Sequence, residues 1–258
     1  MDYVEITFTC QDGLAVITMN RPDKMNAMNA AMRAEITHVL GHRLEGARAV
    51  VLTGAGTAFC SGQDLGDARN TTKLNLERVL RDEYYPMLEA LVNCPLPTLA
   101  AVNGAAAGAG ANLALACDVV MASEAAFFSQ AFSRIGLMPD AGGTWFLPRQ
   151  IGLAKAMGAA LFADRISARA ASDMGMIYEA VPADEFDAHW RNRGASLAAG
   201  PTCAFRAVRD AMRASFGNDL KSQLNLEAQL QGELGKSRDF IEGVSAFLEK
   251  RPAKFEGR

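Results

Sequence analysis

Two segments of small residues constrain this chain more than anything else in it: GAGTAFCSGQDL, Gly54 to Leu65, and NGAAAGAGANLALACD, Asn103 to Asp118. Each follows an apolar run of strand length, Ala49–Thr53 and Thr98–Val102, and the second leads directly into a helical pattern. Small side chains let one backbone approach another, or a ligand, closely. A buried strand that passes through a glycine turn into a helix, and does so repeatedly, predicts an α/β fold with parallel strands.

The flanking pattern agrees. Val4–Thr9 alternates apolar and polar residues, and Asp12-Gly13 supplies a hairpin turn before Leu14–Met19. Apolar residues recur at helical spacing from Ala27 to Leu44, with Asn26 available as a cap. Leu74–Val92 reads as a helix, and Pro95 and Pro97 separate it from the strand at Thr98. A further strand is expected at Asp118–Ala122. From about Ile151 the pattern is almost wholly helical, with Ser167 as an N-cap, Gly175 as a stop and Pro201 opening a helix. We therefore expect a core over residues 1–200 and a helical region over residues 201–258.

With 258 residues the chain can bury a sizeable core without metals or disulfides. Its net charge of −3 gives no basic field for nucleic acid or an anionic membrane surface. The five cysteines, Cys10, Cys60, Cys94, Cys117 and Cys203, form no Cys-x-x-Cys pair, so reduced thiols in a cytoplasmic setting are expected. Met1-Asp2-Tyr3 does not open a secretory signal, and the apolar stretch Leu99–Met121 is broken by glycines, two asparagines and Asp118.

A glycine segment opening a helix presents unpaired N–H groups and can hold an anion, or an oxygen that becomes one. Nucleotide motifs do not fit. Gly108-Ala109-Gly110 begins a G-x-G-x-x-G, but Leu113 takes the last position, and no G-K-[ST] follows either segment. His38 and His42 stand four apart without a third ligand, His189 is isolated, and none is near the two segments. No metal site and no serine triad are expected.

Ala49–Pro148, with RPDKMNAM at Arg21–Met28 and KRPAKFEGR at Lys250–Arg258, closely resembles the crotonase, or enoyl-CoA hydratase/isomerase, superfamily. The resemblance covers nearly the whole chain. It implies a spiral core of ββα units, a C-terminal helical region that builds homotrimers or homohexamers, and an acyl-coenzyme A thioester as substrate. Coenzyme A is then part of the substrate, and no separate cofactor is implied. By position, the resemblance implies an oxyanion hole made by the backbone N–H groups of Ser61 and Ala109. It also implies a coenzyme A cradle from Lys24, Met25 and Ala27 with Gly62, Gln63, Asp64 and Leu65, and puts Gly108 beside the acyl group. Arg251 and Lys254 could reach a phosphate or simply lie in solvent.

Hydratases of this superfamily activate water with two glutamates. Those positions hold Asn112 and Phe132 here, and neither side chain titrates. A carboxylate appears instead at Asp140. GAGANLALACD, QAF and PDAGGTWFLPR resemble the ring-1,2-epoxyphenylacetyl-CoA isomerases, which implies that Asp140 is the catalytic acid/base in an isomerisation. An apolar wall with Phe132 and Trp145 would raise its pKa. Locally, Asp140 also suits a turn with Pro139 and Gly142. The alternatives are an enoyl-CoA hydratase or other lyase of the same fold, and, in another class, a non-catalytic acyl-CoA binder. Cys60 reads as a buried thiol and Asp64 as a loop-holding group.

Overall fold

The computed structural model describes residues 2–64, 66 and 75–258. Strands β1 (Ile6–Gln11) and β2 (Leu14–Met19) form an antiparallel hairpin, closed by Asp12 and Gly13 at φ 50° and 78°. Positive φ at both positions matches the strands' twist in a two-residue turn. Helix α1 (Ala30–His42) follows.

Three strand pairs then build the spiral, each a longer strand and a short one. They are β3 (Ala49–Gly54) with β4 (Ala58–Cys60), β5 (Thr98–Val102) with β6 (Ala105–Ala107), and β7 (Val119–Ser123) with β8 (Phe127–Ser129). The first is followed by α2 (Leu76–Val79), a π-helical segment (Leu80–Tyr84) and α3 (Tyr85–Val92). The second is followed by α4 (Ala109–Leu115) and the third by α5 (Gly143–Phe162).

The longer strands join one sheet with β10 (Glu179–Val181), in the order β1-β2-β3-β5-β7-β10, parallel from β2 onwards. The short ones stack in a second sheet with β9 (Ile166–Ser167), in the order β4-β6-β8-β9. Each turn of the spiral therefore adds one strand to each sheet, which is the ββα architecture expected from the strand–glycine–helix pattern.

Both faces of the large sheet are covered at β3, β5 and β7, so these strands read as continuous apolar runs. Along β3, Val50 and Leu52 enter the core shared with α1, α3 and α4, whereas Val51 enters a second cluster with Leu99, Met121, Phe186 and Trp190. Phe186 and Trp190 come from α7 (Phe186–Ala199).

Helices α8 (Thr202–Ala214), α9 (Leu220–Leu234) and α10 (Arg238–Glu249) complete the chain. Arg48 ties them to the core, donating to Gly200 O at 2.5 Å and Phe255 O at 2.7 Å. Among the described residues, no helix is long and apolar enough to cross a membrane.

Two local expectations need correction. Asn29, not Asn26, caps α1 and accepts the Met32 N–H at 2.9 Å. Asn26 is buried at φ 54°, donating to Ala55 O and Ala58 O and accepting the Arg21 N–H. Its side chain replaces the ladder that the chain around the Gly54 turn lacks. The region beyond Ile151 is not all helix: β9 (Ile166–Ser167) pairs with β8 and β10 (Glu179–Val181) with β7, on either side of α6 (Ala168–Asp173). Leu74, the expected start of the helix ending at Val92, lies outside the described residues.

Candidate active site

The first strand pair leads into the segment Cys60–Asp64, which lies beside the chain at Lys24–Met28. Met28 N–H donates to Gly62 O at 2.7 Å and Asp64 N–H to Met28 O at 3.0 Å. Arg21 closes the same corner, donating to Ala27 O at 2.5 Å and Asp64 Oδ2 at 2.7 Å. Burial pulls the Asp64 pKa up, but the Arg21 hydrogen bond, the Gly66 N–H and the nearby positive charge outweigh it and leave the carboxyl below the usual range. The structure thus brings together Lys24, Met25 and Ala27 with Ser61, Gly62, Gln63 and Asp64. Leu65 lies outside the described residues.

Ser61 is not free to offer its N–H, which already donates to Met25 O at 3.0 Å. This overturns the expectation that it is the first donor. In the parallel bridge between Met28 and Gln63, the flanking peptide groups of Gly62 and Asp64 turn toward Met28. Peptide orientation alternates along an extended segment, so the Gln63 N–H points the other way. Among the described residues it has no acceptor.

The second small-residue segment meets this loop. Gly108 has φ 54° and ψ −129°, a conformation that an L side chain rarely adopts, and its N–H donates to Ser129 O. Ala109 is the first residue of α4, so its N–H has no partner within the helix. A Cβ on Gly62 would stand 2.9 Å from Ala107 O and 3.5 Å from Ala109 N. On Gly110 it would stand 2.3 Å from Cys60 O. Close packing of the two backbones needs glycine at both positions. Cys60 is fully buried, and burial pushes its thiol up to about 12, which leaves it un-ionised at neutral pH.

An apolar cavity of about 410 Å³ lies beyond. It is lined by Leu76, Leu80, Tyr84, Tyr85 and Leu88 on one side and by Leu137 to Gly142 with Thr144 on the other. Asp140 is the one carboxylate among its described lining residues. Burial pushes its pKa up to about 6, and its buried Oδ1 has no protein partner among the described residues.

Phe132 is buried with its ring 3.7 Å from where a Gly108 Cβ would stand. It backs the glycine segment rather than lining the cavity. Trp145 does not join this wall. It points to another cleft, stacked under Arg149 with Phe216 nearby, because it follows the lining residue Thr144 by one position on α5, about 100° further round the helix.

Two further features escaped the sequence reading. Tyr84, on the π-helical segment, donates to Gln63 Oε1 at 2.6 Å. Arg33 donates to the same oxygen at 3.0 Å and lies over the Tyr84 ring. This network fixes the residue whose N–H is free. Tyr84→Phe keeps the ring and removes one buried hydrogen bond. It should cost about 0.5–1.5 kcal/mol, read as a drop of a few degrees in Tm. Asn112, at the first glutamate position, is fully buried and donates to the Asp140 carbonyl at 2.8 Å.

The other polar candidates have side-chain partners in the structure. His38 pairs with Tyr3 Oη and His189 with Glu179. Arg251 is paired with Glu242 and Glu249 at 2.6 Å each. Among the described residues, no cluster of three or more His, Cys, Asp or Glu could hold a metal ion.

Residues 9–258 match the family described as Enoyl-CoA hydratase/isomerase. A "Probable enoyl-CoA hydratase" of Rhodobacter capsulatus is 64% identical over 100% of both chains. A 1,2-epoxyphenylacetyl-CoA isomerase of Escherichia coli is 41% identical, covering 96% of this chain and 97% of that one. An enoyl-CoA hydratase structure from Bacillus anthracis superposes with a TM-score of 0.91 at 30% identity, over 99% of this chain and all of the other. The chain belongs to the enoyl-CoA hydratase/isomerase family, and its spiral of strand pairs is the crotonase fold.

Proposed function

We propose that this protein is an acyl-CoA isomerase that moves a proton with a single carboxylate, Asp140. The observation that carries this reading is the cavity itself. Asp140 is the one carboxylate among the described residues lining it. At the positions where hydratases of the family carry glutamates, Asn112 is held by Asp140 O and Gln130, and Phe132 is packed against Gly108. The E. coli isomerase relative supports the same reading.

In this reading the N–H groups of Gln63 and Ala109 receive the thioester oxygen. On a 3-enoyl-CoA, the Asp140 carboxylate takes a proton from C2, and the electrons of that bond pass toward the carbonyl oxygen as a dienolate. The two N–H groups stabilise that charge as it develops, and losing one such donor costs about 10²–10³ in rate in comparable sites. The protonated Asp140 then returns its proton to C4, giving the conjugated 2-enoyl thioester. A ring-1,2-epoxyphenylacetyl-CoA is the second substrate class. The proton shift itself asks for no metal or redox partner. Lys24, Met25, Ala27 and the 61–65 loop would hold coenzyme A.

We place the chemistry in residues 1–200 and assembly into a trimer or hexamer in residues 201–258, working in the cytoplasm where the cysteines stay reduced. The exposed apolar residues Phe240, Ile241, Val244, Phe247 and Leu248 on α10 support the assembly role.

The R. capsulatus relative's name favours a second reading, hydration of a 2-enoyl-CoA. One experiment separates them. Purified protein is given trans-3-enoyl-CoA and crotonyl-CoA in parallel, with absorbance of the conjugated enoyl thioester followed. We expect absorbance to rise with the first substrate and to stay level with the second. A fall with crotonyl-CoA at rates of an efficient hydratase, and no rise with the 3-enoyl thioester, would reverse the assignment.

A further inference from the structure

Among the described residues, the one group that bonds the Asp140 carboxylate is its own backbone N–H. Its buried Oδ1 has no partner among the described residues, so the position of the side chain depends on the turn that carries it. That turn is unusual. Ala141 has φ 47°, in the left-handed region that residues with a Cβ avoid, and Gly142 follows at φ 81°. The Asp140 carbonyl accepts the Gly143 N–H at 2.8 Å.

A second donor reaches the same carbonyl from another element. Asn112, on α4, donates from Nδ2 at 2.8 Å. Its Oδ1 accepts Gln130 Nε2, also at 2.8 Å, and both side chains are buried. The direction of the amide is therefore fixed at both ends. Its room is fixed as well, since a Cβ on Gly143 would stand 2.3 Å from Asn112 Nδ2.

We infer that Asn112 is a positioning residue for Asp140: its amide clamps the carbonyl of the strained 140–142 turn, and so aims the carboxylate into the cavity. This rests on the proposed acid/base role of Asp140. It assigns a task to the position where hydratases of the family carry a glutamate. An ionised carboxylate at 112 would set oxygen against the Asp140 carbonyl oxygen, with no proton between them. A site built around a charged residue 112 and a site built around Asp140 in this turn therefore exclude each other. Across the cavity from Asp140, the titratable groups among the described lining residues are the phenols of Tyr84 and Tyr85.

The test compares Asn112→Ala, Asn112→Asp and Asp140→Asn for conversion of trans-3-enoyl-CoA between pH 5.5 and 8.5. With Asn112→Ala we expect kcat to fall roughly 10–100-fold while KM stays within about three-fold, because the substrate contacts remain and the base is misplaced. Asn112→Asp should be weakest relative to wild type at pH 8.5. Its ratio to wild type should recover as the pH falls, when a protonated Asp side chain again offers a donor to the Asp140 carbonyl. If Asn112→Ala does not fold, Gln130→Met tests the same clamp from behind, with an expected three- to ten-fold loss in kcat at unchanged KM. Wild-type kcat and an unaltered pH profile in the foldable variants, beside an inactive Asp140→Asn, would overturn the clamp and leave the acid/base reading standing. An active Asp140→Asn would overturn both.

Discussion

Asp140→Asn is expected to reduce isomerase turnover by about 10²–10⁴-fold, the usual contribution of a positioned acid/base group, while acyl-CoA binding changes little. The amide fills the same space but can neither take the proton from C2 nor return it at C4. In the wild-type protein, kcat/KM should fall as the pH drops through about 6, where the buried carboxyl takes up its proton.

The same substitution should make the protein more stable at alkaline pH. Burial raises the Asp140 pKa from 3.8 to about 6. Between those values the folded protein binds a proton that the unfolded chain has released, so this group's contribution to stability is greatest at low pH and is lost as the pH rises. Above about pH 6 the folded state carries an unpaired, partly buried charge, a cost of at most about 3 kcal/mol. Removing the charge should raise Tm by several degrees at pH 8 and by almost nothing near pH 4. Measuring Tm and turnover on the same samples checks both. A variant that is inactive but less stable at pH 8 would show that Asp140 holds its turn together rather than straining it.

How far the chain could be read before its structure depended on the scale of each feature. Buried strands are long enough to announce themselves: Thr98–Val102 has the bounds its apolar run suggests, because both faces of a parallel strand are covered. The short strands at Ile166–Ser167 and Glu179–Val181 show no periodicity to read, and exist because they complete the edges of the two sheets. Asn26 and Asn29 look equally good as helix caps in NAMN. Only the Gly54–Ala58 turn, folded back on Asn26, decides between them. Within the site, the small-residue segments and Asp140 were legible by type. Which N–H is free was not, since it depends on peptide orientation: pairing with Met28 leaves Gln63 pointing outward, whereas Met25 occupies Ser61. Tyr84 and the Asn112 clamp are contacts between elements far apart in sequence, which no local pattern encodes.

The glycine packing that joins the two small-residue segments predicts a second large effect, at Gly110→Ala. Gly110 lies inside α4, where alanine would ordinarily be the better helix former. Here its Cβ would stand 2.3 Å from Cys60 O and 2.7 Å from both Cβ and Sγ of Cys60. Cys60 is fully buried at the end of β4, so no flexible side chain is available to yield. The helix must move off the strand. Overpacking of this kind costs about 1–3 kcal/mol, roughly 2–4 °C of Tm for each kcal/mol in a chain of this size. The same movement carries Ala109 away from Gln63 and widens the gap between the two N–H groups, so turnover should fall at least roughly ten-fold, towards the roughly 10²–10³ of a fully lost oxyanion donor. Gly41→Ala is the matched control: it lies in α1 with nothing within 4 Å of the added methyl. There the helix preference should act alone, raising stability by about 0.5–1 kcal/mol without touching the rate. Loss of Tm in Gly110→Ala with full turnover would mean that the two N–H groups tolerate the shift and that the oxyanion contact lies elsewhere. Loss of both, with Gly41→Ala fully active and no less stable, ties the rate to the distance between α4 and the 60–64 loop.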